Sequence, residues 1–336
     1  MKILLIGGTG TISSAITRQL SETAHEIYLL NRGNRNEDVP ENIRIIIADI
    51  NDEAEVKKKL EGITFDAVCE FIGFEKQHVE RDYRLFHGKT KQYLYISSAS
   101  AYNKPVRDYR ITEATSLANP FWIYSQNKIA CEDFLMQMYR ENGFPVTIIR
   151  PSHTYSERSI PLGVHGRTGS WQVAQRMLEG KPVIIHGDGT SLWTLTNNED
   201  FARGFIGLIG NPHAIGEAFQ ITSDETVTWN QIYQIIADCL GVELKAYHVS
   251  SEFLASVSEY DLMGSLIGDK ANSVVFDNTK LKQAVPGFQA TVRVEQGLKE
   301  TIQYILAHKE LQIIDEEFDA WCDKVIEKME EIKKCF

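Results

Sequence analysis

The stretch MKILLIGGTGTISSAITRQL, residues 1–20, decides how the rest of this chain folds. Its apolar run, residues 3–6, is short enough for a buried parallel strand. A glycine-rich turn follows at residues 7–10, and apolar side chains then recur at helical spacing at Ile12, Ile16 and Leu20. Strand, glycine turn and helix in this order form the context that a dinucleotide-binding fingerprint requires.

Three small residues, Gly8, Gly10 and Ser13, have the spacing of G-x-G-x-x-G, with serine in place of the last glycine. We expect Gly8 to permit the tight turn and Gly10 to let a pyrophosphate approach the backbone. Ser13 would let the helix pack close to the strand, so that the first N–H groups of the helix face the phosphates. An ordinary strand-to-helix turn can have the same spacing, so other motifs must decide between the two interpretations.

Composition and charge exclude several classes of protein. The chain has 336 residues and a formal net charge of -11, which argues against nucleic-acid binding by phosphate neutralisation and against an anionic membrane surface. The 5 cysteines have no C-x-x-C spacing, so we expect no metal site and no disulfide framework. Because the sequence shows neither a signal-peptide pattern nor a membrane-spanning apolar stretch, we expect a cytoplasmic protein.

Further apolar runs alternate with helical patterns at residues 25–30, 43–48, 65–69, 92–97 and 146–149. This alternation predicts an α/β fold with a doubly wound, Rossmann-like parallel sheet, whose ligands bind at the carboxyl ends of the strands. We expect a dinucleotide-binding domain over residues 1–155, with parts of 183–222 returning to it. A smaller α/β substrate-binding lobe and C-terminal helices would occupy residues 156–336.

The end of the second predicted strand bears on the choice of cofactor. NAD-binding versions of this unit place an acidic residue there, but this chain has Asn31 and Arg32, with Arg35 close behind. A guanidinium suits a 2′-phosphate, so the sequence favours NADP over NAD unless these arginines are solvated loop residues. Asp49 ends the third predicted strand, where it either meets the adenine edge or caps the next helix.

A second motif follows the fifth predicted strand, which ends in the serine-rich residues 97–102. Downstream, Tyr124 and Lys128 are four residues apart and therefore share one face of a helix. A lone Y-x-x-x-K is usually a solvated pair. Together with a serine-rich strand end and an opening dinucleotide turn, it indicates a redox site.

On these motifs the chain resembles the extended branch of the short-chain dehydrogenase/reductase superfamily, the NAD(P)-dependent sugar epimerase/dehydratase group. The matching stretches are GGTGTI at 7–12, YISSASAY at 95–102, YSQNK at 124–128 and IRP at 149–151. An atypical subgroup that includes chloroplast stem-loop RNA-binding proteins is also similar at the N-terminus. The chain departs from many nucleotide-sugar enzymes at Trp193, at Ser152-His153 and at Ala99-Ser100, so the nucleotide part of the substrate stays open.

The resemblance implies catalytic roles for three residues. Tyr124 would be the general acid/base, and the ammonium of Lys128 would lower the pKa of its phenol, which is ordinarily near 10. Lys128 would also hold the nicotinamide ribose. Ser98 would hydrogen-bond the substrate oxygen, with Ser97 and Ser100 as rival candidates.

The same resemblance implies a set of binding residues. The expected cofactor contacts are Gly7, Gly8, Thr9, Gly10, Thr11, Ile12, Asn31, Arg32, Asp49, Ile50, Tyr124, Lys128 and Pro151. From their position and charge, the candidate substrate contacts are Ser100, His153, Arg158 and Arg167; the alternatives are a packed or capping imidazole for His153 and solvated side chains for the arginines.

Two functions from different classes follow. The first is an NAD(P)-dependent oxidoreductase or epimerase that acts on a sugar, nucleotide-linked or free, by hydride transfer, as a homodimer by resemblance. The alternative is a non-catalytic nucleotide-sensing or RNA-binding protein on the same fold. Within residues 250–277, the stretch 262–269 is apolar and glycine-broken, and it forms either a lid over the substrate or simple packing. Residues 318–336 have the pattern of an amphipathic surface helix.

Overall fold

The computed structural model describes all 336 residues. Its strands are β1 Lys2–Ile6, β2 Glu26–Asn31, β3 Arg44–Ile47, β4 Ala67–Glu70, β5 Tyr93–Ile96, β6 Arg110–Ile111, β7 Val146–Pro151, β8 His153–Tyr155, β9 Val183–His186, β10 Leu192–Trp193, β11 Leu195–Asn197, β12 Ala218–Ile221, β13 Val227–Thr228, β14 Ala246–Val249 and β15 Val275–Phe276. Its helices are α1 Ser13–Ser21, α2 Glu53–Lys59, α3 Lys76–Phe86, α4 Ile123–Asn142, α5 Trp171–Leu178, α6 Asn198–Leu208, α7 Trp229–Leu240, α8 Ser251–Val257, α9 Thr279–Ala284, α10 Val294–Ala307 and α11 Glu316–Lys333. Short 3₁₀ turns lie at Ala99–Ala101, Pro212–Ala214 and Lys309–Leu311, and Met263–Lys270 is π-helical.

Seven strands form one parallel sheet in the order β12-β7-β5-β4-β1-β2-β3. The chain starts in the middle of this sheet, extends it on one side through β2 and β3, and then returns to β4 on the other side of β1. This order confirms the predicted doubly wound, Rossmann-like α/β fold. The reversal between β1 and β4 opens a crevice at the carboxyl ends of the strands, where such sheets bind ligands.

The apolar run of β1 is continuous because both faces of its sheet are covered. Ile3 and Leu5 join a core that α1 and α6 cover, whereas Leu4 and Ile6 point into the opposite core beneath α3 and α4. All four side chains are fully buried. The strand that precedes the glycine turn is therefore held from both sides, which fixes the position of that turn.

A third core lies around Trp229, at the N-terminus of α7, and includes residues of α5, α10 and α11. In α11 the side chains of Phe318, Cys322 and Val325 are buried, as the amphipathic pattern predicts. No helix has the length and the apolar composition that a membrane crossing requires.

The chain after Pro151 contains a short strand, β8, which pairs in parallel with β11; a three-residue strand is too short to show an alternating pattern in the sequence. In the stretch 250–277, the π-helical segment Met263–Lys270 is packed rather than free. A Cβ on Gly264 would overlap the ring of Trp122, so the glycine allows the two backbones to approach.

Candidate active site

The opening turn relies on its glycines in a different way from the prediction. Gly7 has φ +82°, a conformation that favours glycine, so Gly7 and not Gly8 permits the turn. A Cβ on Gly8 would lie 2.5 Å from Cδ1 of Leu29 and 2.8 Å from Oγ1 of Thr17. Gly8 is therefore required for the close packing of α1 against β2, a role that the spacing alone does not reveal.

Ser13 and the free N–H groups of the turn create an open anion site. The Ser13 hydroxyl donates to the carbonyl of Gly7 over 2.7 Å and accepts from the N–H of Gly10 over 2.9 Å. A Cβ on Gly10 would meet only Ser13 Oγ, at 3.5 Å, so the space above this residue is open. The backbone N–H groups of Thr11 and Ile12 donate to no acceptor within the protein. These features fit the pyrophosphate of a dinucleotide.

The other predicted cofactor residues lie along the same edge of the sheet. Arg32 follows β2, is exposed and forms no ion pair, while the side chain of Asn31 accepts the N–H of Gly33 over 2.9 Å. Asp49 does not cap α2. Its carboxylate accepts the N–H of Asn51 over 2.9 Å, and the cap of that helix is Asp52.

Two further predicted positions, Ile50 and Pro151, are buried, and Pro151 lines the pocket on the substrate side of the crevice.

Two apolar side chains that sequence reasoning missed border the crevice. Ile72 and Phe74 follow β4 and are 37% and 47% exposed. Ile72 lies against Gly7, and the ring centroid of Phe74 is 5.0 Å from Nζ of Lys128. Exposed apolar side chains between the glycine turn and Lys128 suit the flat rings of a dinucleotide.

Lys128 is buried in the first half of α4, and its ammonium is held by backbone carbonyls. Nζ donates to the carbonyls of Gly73 and Ile96, each over 2.7 Å. Burial lowers the pKa of Lys128 to about 8. The ammonium therefore sits at a fixed point between the ends of β4 and β5, inside the crevice.

Tyr124 lies one helical turn before Lys128, and its ring centroid is 5.7 Å from the ammonium. Burial is the largest influence on its phenol and raises the pKa to about 12, although contact with the Ser98 hydroxyl lowers it. The prediction that Lys128 lowers this pKa is wrong for the protein alone. The reason is geometric: the two carbonyls that hold the ammonium keep it on the ring side of Tyr124.

Of the three candidate serines, the structure leaves only Ser98 accessible. Ser97 is 1% exposed, and its hydroxyl donates to the carboxylate of Glu132. Ser98 Oγ lies 2.9 Å from Ser100 Oγ, which in turn accepts from Ser125 over 2.8 Å. Ser98, Tyr124 and Lys128 are therefore brought together, as the motif match predicts.

A small pocket opens beside Ser98. Its lining comprises Ser98, Ala99, Ser100, Tyr102, Lys104, Ile111, Pro151, Ser152, Asp269, Val274 and Phe276. Ser100 is thus placed where a substrate residue was expected. Lys104 and Asp269 were not predicted, because a lone charged residue in a loop gives no signal in a sequence.

The remaining expected substrate residues lie outside this lining. His153 accepts from Trp193 Nε1 at its Nδ1 over 3.1 Å, and burial sets the pKa of His153 well below its usual value. The imidazole is therefore neutral and packed beside Trp193. Arg158 lies 3.9 Å from the carboxylate of Asp38, towards the loop after β2.

Arg167 donates to the carbonyl of Glu259 over 3.2 Å and stacks over Tyr260, its Cζ 5.4 Å from the ring centroid.

A buried ion pair that sequence reasoning also missed holds α4 in place. Arg150 on β7 donates to Glu132 on α4, with 2.6 Å between Nη2 and Oε2. Both side chains are almost inaccessible, at 7% and 3% exposed. Because Glu132 follows Lys128 by one turn, this pair fixes the rotation of the helix that carries Tyr124 and Lys128.

Comparison with known proteins agrees with this geometry. The model of the NAD dependent epimerase/dehydratase family matches residues 3–222. The chain belongs to this family. That membership confirms the resemblance read from the glycine turn, the serine-rich strand end and the Tyr124–Lys128 pair.

Within the NAD dependent epimerase/dehydratase family, individual relatives are distant. The 2'-dehydrokanamycin reductase of Streptomyces kanamyceticus is 22% identical over 86% of this chain and 80% of that protein. The chloroplast stem-loop binding protein of 41 kDa b of Arabidopsis thaliana is 26% identical over 71% of this chain and 63% of that protein. The UDP-glucuronic acid 4-epimerase of Bacillus cereus, solved with UDP-glucuronic acid and NAD, has a TM-score of 0.72 at 18% identity, covering 91% of this chain and 99% of that one.

Proposed function

We propose that this protein is an NAD(P)-dependent oxidoreductase or epimerase that acts on a sugar. The observation that carries the proposal is the convergence of Ser98, Tyr124 and Lys128 at the crevice that the opening glycine turn faces. A protein that only senses a nucleotide or binds RNA does not need these three groups at one point. Family membership supports the enzymatic assignment.

The residues divide the chemistry among them. The Ser98 hydroxyl orients the oxygen of the substrate, and Tyr124 takes the proton from that oxygen during oxidation and returns it during reduction. Lys128 is fixed by two carbonyls, and it would hold the ribose hydroxyls of the cofactor. A bound dinucleotide would supply the hydride acceptor and donor. Burial raises the pKa of the Tyr124 phenol to about 12, and positive charge on an oxidised nicotinamide would oppose that rise.

The turn at residues 7–12 and the edge at Arg32 support a dinucleotide with a 2′-phosphate. The family is described as NAD dependent, but this chain has an exposed, unpaired guanidinium where NAD-binding units have a carboxylate. We therefore favour NADP over NAD. We expect Arg32→Asp to weaken the binding of NADP by about tenfold or more, while the affinity for NAD changes by about twofold. Both dissociation constants are measured by cofactor fluorescence titration. Equal losses for both cofactors would contradict the preference.

A single assay tests the sugar reaction and separates its two forms. Purified protein is mixed with NADP or NAD and a panel of nucleotide sugars and free sugars, and the reduced-nicotinamide absorbance is followed while products are separated by chromatography. A net reductase consumes reduced cofactor, whereas an epimerase converts the sugar with no net change in absorbance. Cofactor binding without conversion of any sugar or carbonyl compound would contradict the proposed function.

Three expectations complete the proposal. We place the dinucleotide-binding domain at residues 1–155, with parts of 183–222 included, because β12 forms the edge of the main sheet and α6 covers its core. The substrate-binding lobe then occupies 156–336. We expect a cytoplasmic homodimer, which size-exclusion chromatography with light scattering tests.

A further inference from the structure

Three serine hydroxyls form a chain that ends at the catalytic site. Ser98 Oγ lies 2.9 Å from Ser100 Oγ, and the hydroxyl of Ser125 on α4 donates to Ser100 Oγ over 2.8 Å. Ser125 is fully buried and Ser100 is 4% exposed, whereas Ser98 is half-buried at the crevice. The chain therefore runs from the interior of the protein to the one serine that faces the site.

The direction of this chain follows from the acceptors that each hydroxyl can reach. A serine hydroxyl donates one hydrogen bond and accepts up to two. The Ser100 hydroxyl accepts from Ser125, and Ser98 Oγ is the protein acceptor within its hydrogen-bond distance. If Ser98 donated to Ser100 instead, the proton of Ser100 would have no protein acceptor, which is costly for a group that is almost buried. The satisfied arrangement donates from Ser125 to Ser100 and from Ser100 to Ser98.

In this arrangement Ser98 Oγ accepts twice. The backbone N–H of Ser100 donates to it over 3.1 Å, in addition to the Ser100 hydroxyl. Because both acceptor positions are used, the Ser98 hydroxyl has one role left, which is to donate its own proton away from Ser100. Burial raises the pKa of the Tyr124 phenol to about 12, and the hydrogen bond with Ser98 opposes that rise, as a donor to the phenolate oxygen does.

The turn that carries Ser100 is held in place by a buried amide. Asn119 is 2% exposed, and its Nδ2 donates to the carbonyl of Ser100 over 2.8 Å and to the carbonyl of Gly268 over 2.6 Å. One side chain therefore ties the turn Ala99–Ala101 to the packed segment Met263–Lys270. The geometry of the hydroxyl chain is set by the protein before a substrate enters, as preorganised donors require.

We propose that Ser125 and Ser100 are positioning residues that commit the Ser98 hydroxyl to donate to the reacting oxygen of the substrate. The inference rests on the proposed function and adds two residues to its site. A hydroxyl that accepts hydrogen bonds is a stronger donor, because successive hydroxyls polarise one another. Such a donor stabilises the charge that develops on the reacting oxygen in the transition state more than it stabilises the bound sugar, so it acts on kcat rather than on KM.

The positions of the three hydroxyl protons test the direction of the chain without any turnover. A neutron diffraction structure of crystals exchanged into D₂O locates the corresponding deuterons. We expect the Ser125 deuteron on the line to Ser100 Oγ, the Ser100 deuteron on the line to Ser98 Oγ, and the Ser98 deuteron directed away from Ser100. A Ser98 deuteron that points at Ser100 Oγ would contradict the proposal.

Kinetics of the cofactor-loaded protein with the best sugar of the panel test the consequence. Ser125→Ala should lower kcat about fivefold and leave KM within about twofold, and Ser100→Ala should lower kcat at least as much. Ser98→Ala removes the end of the chain, so the added change Ser125→Ala should lower kcat further by less than about 1.5-fold. A merely structural role of Ser125 predicts the same fivefold loss on both backgrounds.

The matched control is Thr147→Val, which removes another fully buried hydroxyl. The Thr147 hydroxyl donates to the carbonyl of Ala214 over 2.9 Å at the amino end of β7, whereas Pro151 at the other end of that strand lines the pocket. Thr147→Val should lower the midpoint of urea unfolding and keep the kcat of the wild type. A wild-type kcat in Ser125→Ala, or its full loss on both backgrounds, would overturn the hydroxyl chain alone. A cofactor-loaded wild type that converts no sugar would overturn the proposed function as well.

Discussion

Replacement of Tyr124 by phenylalanine removes one hydroxyl and leaves the rest of the site unchanged. The ring keeps its packing against Trp122, and the hydroxyl of Ser98 is the hydrogen-bonding neighbour that acts on the phenol. Loss of one such contact lowers the free energy of unfolding by about 1 kcal/mol. Loss of a general acid/base lowers the rate by about 10²–10⁴-fold, which is about 3–5 kcal/mol of the activation free energy. Activity should therefore fall far more than stability.

The assay combines three measurements on Tyr124→Phe and on the control Tyr109→Phe, whose ring is 62% exposed. These are the turnover of the best sugar of the panel, the dissociation constant of the cofactor, and the midpoint of urea unfolding. Tyr124→Phe should lose turnover while cofactor affinity stays within about twofold, and Tyr109→Phe should match the wild type. In the oxidative direction the wild-type rate should rise with pH, because burial keeps the phenol protonated, with its pKa at about 12. A Tyr124→Phe variant with full turnover, or with the wild-type pH profile, would refute the assignment.

Three further predictions concern the scaffold of the site. Gly8→Ala should lower the free energy of unfolding by about 1–3 kcal/mol, because the new Cβ would meet Leu29 at 2.5 Å. Gly10→Ala should leave the midpoint of urea unfolding unchanged and weaken the binding of the dinucleotide. Arg150→Met should lower the free energy of unfolding by about 3–5 kcal/mol, because it leaves the Glu132 carboxylate buried without an opposite charge. The added substitution Glu132→Gln should recover most of that loss. The pKa of Lys128 falls on folding from 10.5 to about 8, so the penalty for its buried charge is full below pH 8 and is relieved as the pH rises to 10.5. Urea unfolding should therefore show the wild type gaining stability relative to Lys128→Met across that interval, and a constant difference would mean that this pKa is not shifted.

Much of the first half of the fold could be predicted from the sequence because its signals are local. A buried parallel strand, a glycine turn and an amphipathic helix each leave a pattern within a few residues, and their repetition specifies a doubly wound sheet. The Tyr124–Lys128 spacing belongs to the same class of signal. Placement of both residues on α4 follows directly from helical periodicity.

The rest of the site depends on contacts between distant parts of the chain. Lys104 and Asp269 are 165 positions apart and meet only because Met263–Lys270 packs against the start of α4. The pKa of Tyr124 likewise follows from burial, and the position of the Lys128 ammonium follows from the carbonyls that hold it; periodicity can show neither. Even the roles of Gly7 and Gly8 depend on the backbone conformation and on the neighbouring strand rather than on spacing.

The central claim is that a dinucleotide lies across the opening glycine turn with its nicotinamide beside Tyr124. A crystal structure of the protein grown with NADP or NAD tests this most directly. We predict density for the pyrophosphate at the N–H groups of Thr11 and Ile12, with Lys128 on the nicotinamide ribose and the nicotinamide ring beside the Tyr124 hydroxyl. A cofactor bound elsewhere, or a Tyr124 hydroxyl that points away from the nicotinamide, would contradict the account.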